Sequence, residues 1–490
     1  MSDSHALAAL VDRLADAHVL CVGDVMLDHF VRGTVERISP EAPIPVLRVD
    51  ETRSDSMLGG VGNVASNVAA LGGRAVLVAV VGQDESGHIL GRIARGIAGV
   101  DSELVVDPVR RTTVKERFVA RSQQMLRVDR ETVGPVAQEI EEKLLAAVER
   151  HVGACQAVIL SDYGKGVLSD GVLRRVIDRA TALGLPVVID PFGPDYARYR
   201  GAGIVSPNRA ELRLASGEAC VDSEEIVAAA RALIARCGIA TMLVTRSEDG
   251  MSLIERNGVA THLAAEAREV VDVSGAGDTV VATVAAALAV GADRATAAAL
   301  ANIAAGVVVQ KSGTAVTYPE EIVAALHESE IRASDAKIKP LTAAVRVVEG
   351  WRRSGKRIGF TNGTFDLLHP GHLASIRQAR AACDRLVVGL NSDASVKRYK
   401  GPTRPVQGEA ARALVLASLE PIDLVVIFDD DTPIKLIQTL RPDVLVKGAQ
   451  YQVDQVVGAD LVQSYGGKVL LAEMVDGQST TETIARMAKK

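Results

Sequence analysis

The stretch Val270-Val271-Asp272-Val273-Ser274-Gly275-Ala276-Gly277-Asp278-Thr279-Val280 joins three local preferences in a fixed order. β-Branched residues favour a strand, Ser-Gly-Ala-Gly favours a tight turn, and the Ala-rich run after Asp278 favours a helix. Small residues let a ligand approach the backbone, and the first amides of a helix have no partner within it. The expectation is an anion cradle. A carboxylate repels phosphate, so Asp278 beside that cradle is expected to act as a base rather than a binding group.

Working outward, short β-branched runs alternate with amphipathic or Ala-rich segments from Val19 to Ala325. Strands are expected at Val19–Val22, Ala75–Val81, Ala157–Leu160, Val187–Ile189, Gly203–Val205 and Met242–Thr245. This alternation is the pattern of a mostly parallel sheet covered on both faces, which binds ligands at the carboxyl ends of its strands. Ile44–Asp50 and Thr112–Asp129 break the rhythm and read as exposed strands forming a small sheet, a lid or a dimer contact. The polar stretch Ser329–Lys339 before Pro340 marks a linker, set at residues 326–345 and with a partly helical reading left open, between domains at 1–325 and 346–490. A second α/β pattern follows, with strands at Arg357–Phe360, Arg385–Leu390, Leu424–Phe428, Val444–Val446 and Val469–Leu471 and a helix at Gly371–Ala382.

Three elements accompany the opening motif. Gly59-Gly60-Val61-Gly62-Asn63 enters a helix and offers Asn63 to a polyol; Asp24 and Asp28 follow the first strand and suit sugar hydroxyls. Asn208 and Glu211, in Ser206-Pro207-Asn208-Arg209-Ala210-Glu211, suit a Mg²⁺-phosphate water network. Each has a plainer reading: the glycine turn as packing, Asp24 as a helix cap. In the second half, Gly359-Phe360-Thr361-Asn362-Gly363-Thr364-Phe365-Asp366-Leu367-Leu368-His369-Pro370-Gly371-His372 runs strand, turn, helix start. His369 and His372 share a helical face, as a phosphate site needs. No third His or Cys follows at metal spacing, so no metal site is expected.

Composition removes other classes. A net charge of −6 supports neither a nucleic-acid surface nor a polybasic membrane anchor. The apolar run Val280–Val290 is too short to span a bilayer, and the first residues lack a signal-peptide pattern. Five scattered cysteines without a CxxC pair fit a reducing compartment, so a cytoplasmic protein is expected.

The first half resembles the ribokinase-like (PfkB) carbohydrate kinases, with Gly59–Asn63 and Asp272–Thr279 similar to the family's two signatures. The resemblance implies a three-layer α/β domain with a small β lid. It makes Asp278 the base, and Gly275, Ala276 and Gly277 the anion hole for the γ-phosphoryl group. Asn208, Arg209, Ala210 and Glu211 would lie at Mg·ATP, Asn302 near adenine, and Asp24, Asp28, Gly60 and Asn63 at the sugar. Arg127, within a basic stretch with Arg111, Lys115, Arg117 and Arg121, would reach a phosphate already on that sugar; a solvated edge is the other reading. The second half resembles the HxGH nucleotidyltransferases of cytidylyltransferase type, a Rossmann-like fold. By that resemblance His369, His372 and Lys447 stabilise charge at an α-phosphorus, with Thr361, Asn362, Phe365, Ser479, Thr480 and Thr481 binding the nucleotide.

The whole chain resembles the bifunctional heptose-phosphate enzymes, in which a 7-phosphate kinase is fused to a 1-phosphate adenylyltransferase. ATP and Mg²⁺ would serve both steps, with no nucleic-acid or membrane partner and a homodimer as the assembly. A fused enzyme for another sugar phosphate, or a catalytically silent sensor, are the alternatives. Two residues depart from that family: Phe192 stands where Lys is usual, and Thr364 where Cys is usual.

Overall fold

The computed structural model describes residues 4–53, 55–121, 123–266, 270–448 and 452–473. It divides into two units, Met1–Leu326 and His327–Lys490. The sheet of the first unit has nine strands. They lie in the order Ala260–Leu263, Met251–Glu255, Thr241–Thr245, Ile204–Val205, Val187–Asp190, Ala157–Ser161, His18–Gly23, Arg74–Gly82, Val100–Asp107. Thr241–Thr245 through Val100–Asp107 run parallel; the first two are an antiparallel extension. Alternation sets the layers. Val19 and Cys21 face a core with helices Val61–Ala70, Ala276–Ala289 and Arg294–Val308, whereas Leu20 and Val22 face helices Gln138–Val152, Asp170–Ala182 and Ser223–Cys237.

A second sheet grows from the carboxyl end of His18–Gly23. After Asp24 the chain continues as the strand Val25–Ile38, paired with Pro45–Val49, with Asp55–Gly60 and with Thr113–Ala120, which in turn pairs with Gln123–Arg130. The expected strands are found at Pro45–Val49 and as the hairpin Thr113–Ala120 and Gln123–Arg130; Gln123–Arg130 is exposed, whereas Thr113–Ala120 is buried or half-buried because it pairs on both edges. Val25–Ile38 was not foreseen from sequence, because Gly23 and the acids Asp24 and Asp28 read as a turn with ligands rather than as strand.

One expectation fails. Val270–Val273 is not a strand: Val271 and Asp272 donate their amides to one carbonyl, Val309 O, and Val270, Val271 and Val273 are exposed. A β-branched run forms a strand only beside another edge, and here none is adjacent among the described residues. The helix after it, Ala276–Ala289, is as expected.

The second unit has five parallel strands in the order Leu424–Phe428, Arg385–Asn391, Ile358–Gly363, Val444–Gly448, Lys468–Ala472. The order reverses between Ile358–Gly363 and Val444–Gly448, the switch point at which open parallel sheets bind ligands. The stretch expected as a linker is largely helical: Pro319–Ala336 runs into it, Leu341–Arg353 begins in it, and Ala344 is fully buried in the core of the second unit. Glu328, Glu330 and Asp335 are exposed on Pro319–Ala336 while Ser334 is buried, a division that composition alone does not show.

Candidate active sites

Gly275 caps the helix Ala276–Ala289 with φ 80°, and a Cβ there would stand 2.7 Å from Asn63 Nδ2. Only glycine fits both demands. The turn places Asp278 in the first helical turn, buried, with Asn63 Nδ2 donating to Oδ2 at 2.8 Å and Tyr163 Oη donating to Oδ1 at 2.8 Å. Thr279 donates to Asn67 Oδ1 at 2.9 Å, and Asn67 donates to Asn63 O at 3.0 Å. Helix Val61–Ala70 is therefore keyed to helix Ala276–Ala289 by two polar links. Burial pushes the Asp278 carboxyl up to about 6, against the opposing pull of the Asn63 and Tyr163 hydrogen bonds.

The small sheet covers this carboxylate with charge. Asp28 is buried and accepts from Arg117 Nη1 at 2.6 Å. Lys115, on the same strand face as Arg117, has its ammonium 5.3 Å from the Tyr163 ring centroid, and burial lowers its pKa. Arg127 pairs with Asp129 at 2.9 Å at an exposed position, opposite Arg117 in the hairpin register. Gly60 ends Asp55–Gly60 and caps Val61–Ala70. On the other side lies Asp190, whose carboxyl is pushed well above its usual range by burial and then by Asp278, Glu211 and Asp162.

Several expected ligands are occupied within the protein. Asp24 accepts from the amides of Tyr163, Lys165 and Val167 at 2.9, 3.0 and 3.3 Å, so its carboxylate holds a loop. It caps no helix. Asn208 and Glu211 form a reciprocal capping box at the start of Arg209–Ser216, Arg209 pairs with Asp249, and Ala210 lies in the first turn. Asn302 donates to Ala264 O at 2.7 Å. The Ala276 amide donates to Val273 O at 3.2 Å, whereas the Gly277 amide belongs to the first turn, which offers no intrahelical acceptor. Phe192 is exposed, with its ring against Gly164.

In the second unit Thr361 and Asn362 lie in the strand Ile358–Gly363, and His369 caps the helix Pro370–Ala381. The rings of His369 and His372 stack with centroids 3.8 Å apart, and Phe365 meets His372 edge-on at 5.3 Å. Both histidine Nδ1 atoms and Asn362 Oδ1 are buried and have no hydrogen-bond partner. Lys447 Nζ donates to Asn362 O at 3.0 Å, and Lys400 Nζ donates to Thr364 Oγ1 at 3.1 Å. Burial, then His369 and Lys400, brings His372 down to about 4; burial also lowers His369 and brings Lys447 to about 8. Two lysine ammonium groups and two imidazoles at a helix start are the donor types that suit an anion with several oxygens. Ser479, Thr480 and Thr481 lie outside the described residues.

Sequence reading missed Tyr163, Asp190, Asn67, Lys400 and Arg412. The polar, glycine-rich run Asp162-Tyr163-Gly164-Lys165-Gly166 at a strand's carboxyl end was the available signal for Tyr163. Arg412 is fully buried, donating to Gln407 O, Thr364 O and Asp393 Oδ1. No pattern in the sequence marks it.

Residues 16–321 match the pfkB family carbohydrate kinases, and residues 360–485 match the cytidylyltransferase-like group. The chain is 57% identical to bifunctional protein HldE of Paramagnetospirillum magneticum, covering 99% of each. It is 53% identical to the HldE of Caulobacter vibrioides over 98% of this chain and 99% of that one. Among solved structures, Escherichia coli phosphofructokinase-2 in complex with potassium is similar in fold to 64% of this chain and 98% of its own, with TM-score 0.53 at 18% identity. These matches show that the chain belongs to the bifunctional HldE family, a pfkB family carbohydrate kinase joined to a cytidylyltransferase-like domain.

Proposed function

We propose that Asp278 and the His369–His372 pair are the centres of two separate ATP-dependent reactions. The chain phosphorylates D-glycero-β-D-manno-heptose 7-phosphate at C1, and adenylylates the heptose 1-phosphate to ADP-heptose with release of pyrophosphate. In the first reaction Asp278 takes the proton of the C1 hydroxyl as its oxygen bonds the γ-phosphorus and ADP leaves. The observation that carries this reading is a buried carboxylate with a pKa of about 6 in the first turn of a helix, where amides lack acceptors. Gly275 and Gly277 line the anion hole, and Ala276 joins them once Val273 O releases its amide. Asp28, Asn63 and Gly60 hold the sugar, with Asp24 acting through the loop that it anchors. Lys115, Arg117 and Arg127 give the covering sheet the charge that a 7-phosphate requires.

Mg²⁺ enters as Mg·ATP. Among the described residues no group of three or more His, Cys, Asp or Glu is arranged to hold a metal ion. Asp190 and Glu211 are nevertheless acids whose raised pKa values a cation would relieve. Asn208, Arg209 and Ala210 lie with Glu211 at the same sheet edge, and Asn302 marks the adenine side.

In the second reaction an oxygen of the sugar 1-phosphate bonds the α-phosphorus of ATP, and the bond to the pyrophosphate oxygen breaks. His369, His372, Lys447 and Lys400 stabilise the charge, and no side chain attacks. Thr361, Asn362 and Phe365 shape the nucleotide side, joined by Ser479, Thr480 and Thr481. The assembly is a homodimer, supported by Ile38, Val49 and Leu126 exposed on the small sheet. A cytoplasmic location is supported by five free, buried cysteines. No helix among the described residues is long and apolar enough to cross a membrane.

The test is mass spectrometry of products from the parent chain, Asp278→Asn and His372→Ala, each with Mg·ATP and either sugar phosphate. Asp278→Asn loses only the bisphosphate product and His372→Ala loses only ADP-sugar. Loss of both products in either variant overturns the two-centre reading.

A further inference from the structure

The sequence Asp162-Tyr163-Gly164-Lys165-Gly166-Val167 follows the strand Ala157–Ser161 and is fixed by two buried carboxylates. Asp24 takes the alternate amides of residues 163, 165 and 167. Asp162 takes the Gly164 amide at 2.9 Å on Oδ1, while Tyr199 Oη donates to its Oδ2 at 2.9 Å and Arg198 Nη1 at 3.2 Å. Gly164 has φ 68°, and a Cβ there would stand 2.3 Å from Phe192 Cε1, so the ring of Phe192 backs the loop. Four backbone donors are thus committed to hold one side chain, Tyr163. Its hydroxyl donates to Asp278 Oδ1 at 2.8 Å, with the Asp190 carboxyl also within its reach.

We propose that Tyr163 is a positioning residue for phosphoryl transfer, its hydroxyl and the Asn63 amide clamping the two oxygens of Asp278 so that the remaining lone pairs meet the sugar hydroxyl. This rests on the assignment of Asp278 as the base. A carboxylate accepts at about four lone-pair sites, so two remain for the substrate. Burial alone would hold Asp278 protonated and idle; a hydrogen bond to the ionised form opposes that. The charged and titratable groups facing Asp278 are Asp28 and Lys115 from the small sheet, Asp190 from the main sheet and Tyr163 itself. Asp28 is paired with Arg117, and burial with the neighbouring acids pushes Asp190 well above its usual range, so the hydrogen bonds from Asn63 and Tyr163 are what favour the ionised form of Asp278.

Tyr163→Phe in the full chain removes only the hydroxyl. Losing one hydrogen bond to a charged group moves the acid limb of the kinase kcat/KM profile up by about one pH unit. Plateau kcat falls while KM for ATP stays unchanged. A 3-fluorotyrosine at position 163, a stronger donor that keeps the ring and its packing, moves the limb down instead. Adenylyl transfer by the same samples stays at the parental rate. If Asp278→Asn abolishes the kinase while both Tyr163 replacements give the parental pH profile, the clamp is overturned and the base stands. If Asp278→Asn retains kinase activity, the base assignment fails and the clamp with it.

Discussion

The side-chain amide of Asn63 donates to Asp278 Oδ2 at 2.8 Å, tying together two helices whose contacting residues lie 215 positions apart. The same amide lies where any side chain on Gly275 would go. The glycine of the anion turn and the asparagine of the sugar turn are therefore one constraint, and each motif has meaning only with the other.

Asn63→Ala removes that donor. Kinase kcat/KM is expected to fall about 10- to 100-fold, the cost of one hydrogen bond to a charged group. Asn63→Asp falls further, because a second carboxylate beside Asp278 disfavours ionisation. Coupled ADP release measures both, with pyrophosphate release as the control on the second unit.

The raised pKa of Asp278 is also a statement about stability. Its folded value of about 6 lies above the 3.8 of a free aspartate side chain, so folding favours the protonated form. The penalty is absent below pH ~4, grows between about 4 and 6, and is complete above 6, where it reaches roughly 3 kcal/mol. Asp278→Asn is therefore expected to raise the urea midpoint of the first unit at pH 8 and to change it little at pH 4. An inactive variant that is more stable than its parent only at high pH is the signature to find. Equal midpoints at pH 8 would show that the amide loses as much hydrogen bonding as the charge cost.

His372 is brought down to about 4, so the imidazole is neutral in the free protein at neutral pH. Binding of a triphosphate supplies the anion that favours the imidazolium, so its pKa is expected to rise by more than one unit on addition of ATP. Two-dimensional NMR of histidine-labelled protein follows both titrations. A His372 resonance that titrates near 6.5 with and without ATP would contradict the buried, cation-flanked setting.

The side chain of Arg412 is fully buried and satisfies the carbonyls of Gln407 and Thr364 and the carboxylate of Asp393. Thr364 O belongs to the turn that leads to His369. Arg412→Met strands these acceptors and is expected to cost the second unit about 3–5 kcal/mol. Differential scanning calorimetry should show the transition of the second unit lowered, and the kinase should keep its parental rate.

The main parallel strands, the two α/β halves and the local settings of Asp278, His369 and His372 at helix starts were legible in the chain. Each rests on local rules: β-branched runs of strand length, glycine turns, and helix starts with unpaired amides. What was not legible has a common physical cause. Val270–Val273 has the composition of a strand and no neighbouring edge to pair with among the described residues. Residues 326–345 have the composition of a linker, and only the second core shows that Ala344 is buried in it. Asp24 was read as a sugar ligand, and the three amides that it accepts, 139 to 143 residues away, appear only in the fold.

The sequence by itself determined which groups can do chemistry, because a glycine turn before a carboxylate, or two histidines at a helix start, is a local arrangement. Only the tertiary structure decided what holds those groups. Tyr163 and Asn63 reach Asp278 across 115 and 215 residues, and Arg412 reaches Thr364 across 48. Contacts at such separations depend on how strands are ordered in a sheet and which face each helix covers, and no local pattern encodes that order. The cradle at Gly275–Asp278 is thus written in the chain, while the clamp on its carboxylate exists only after folding.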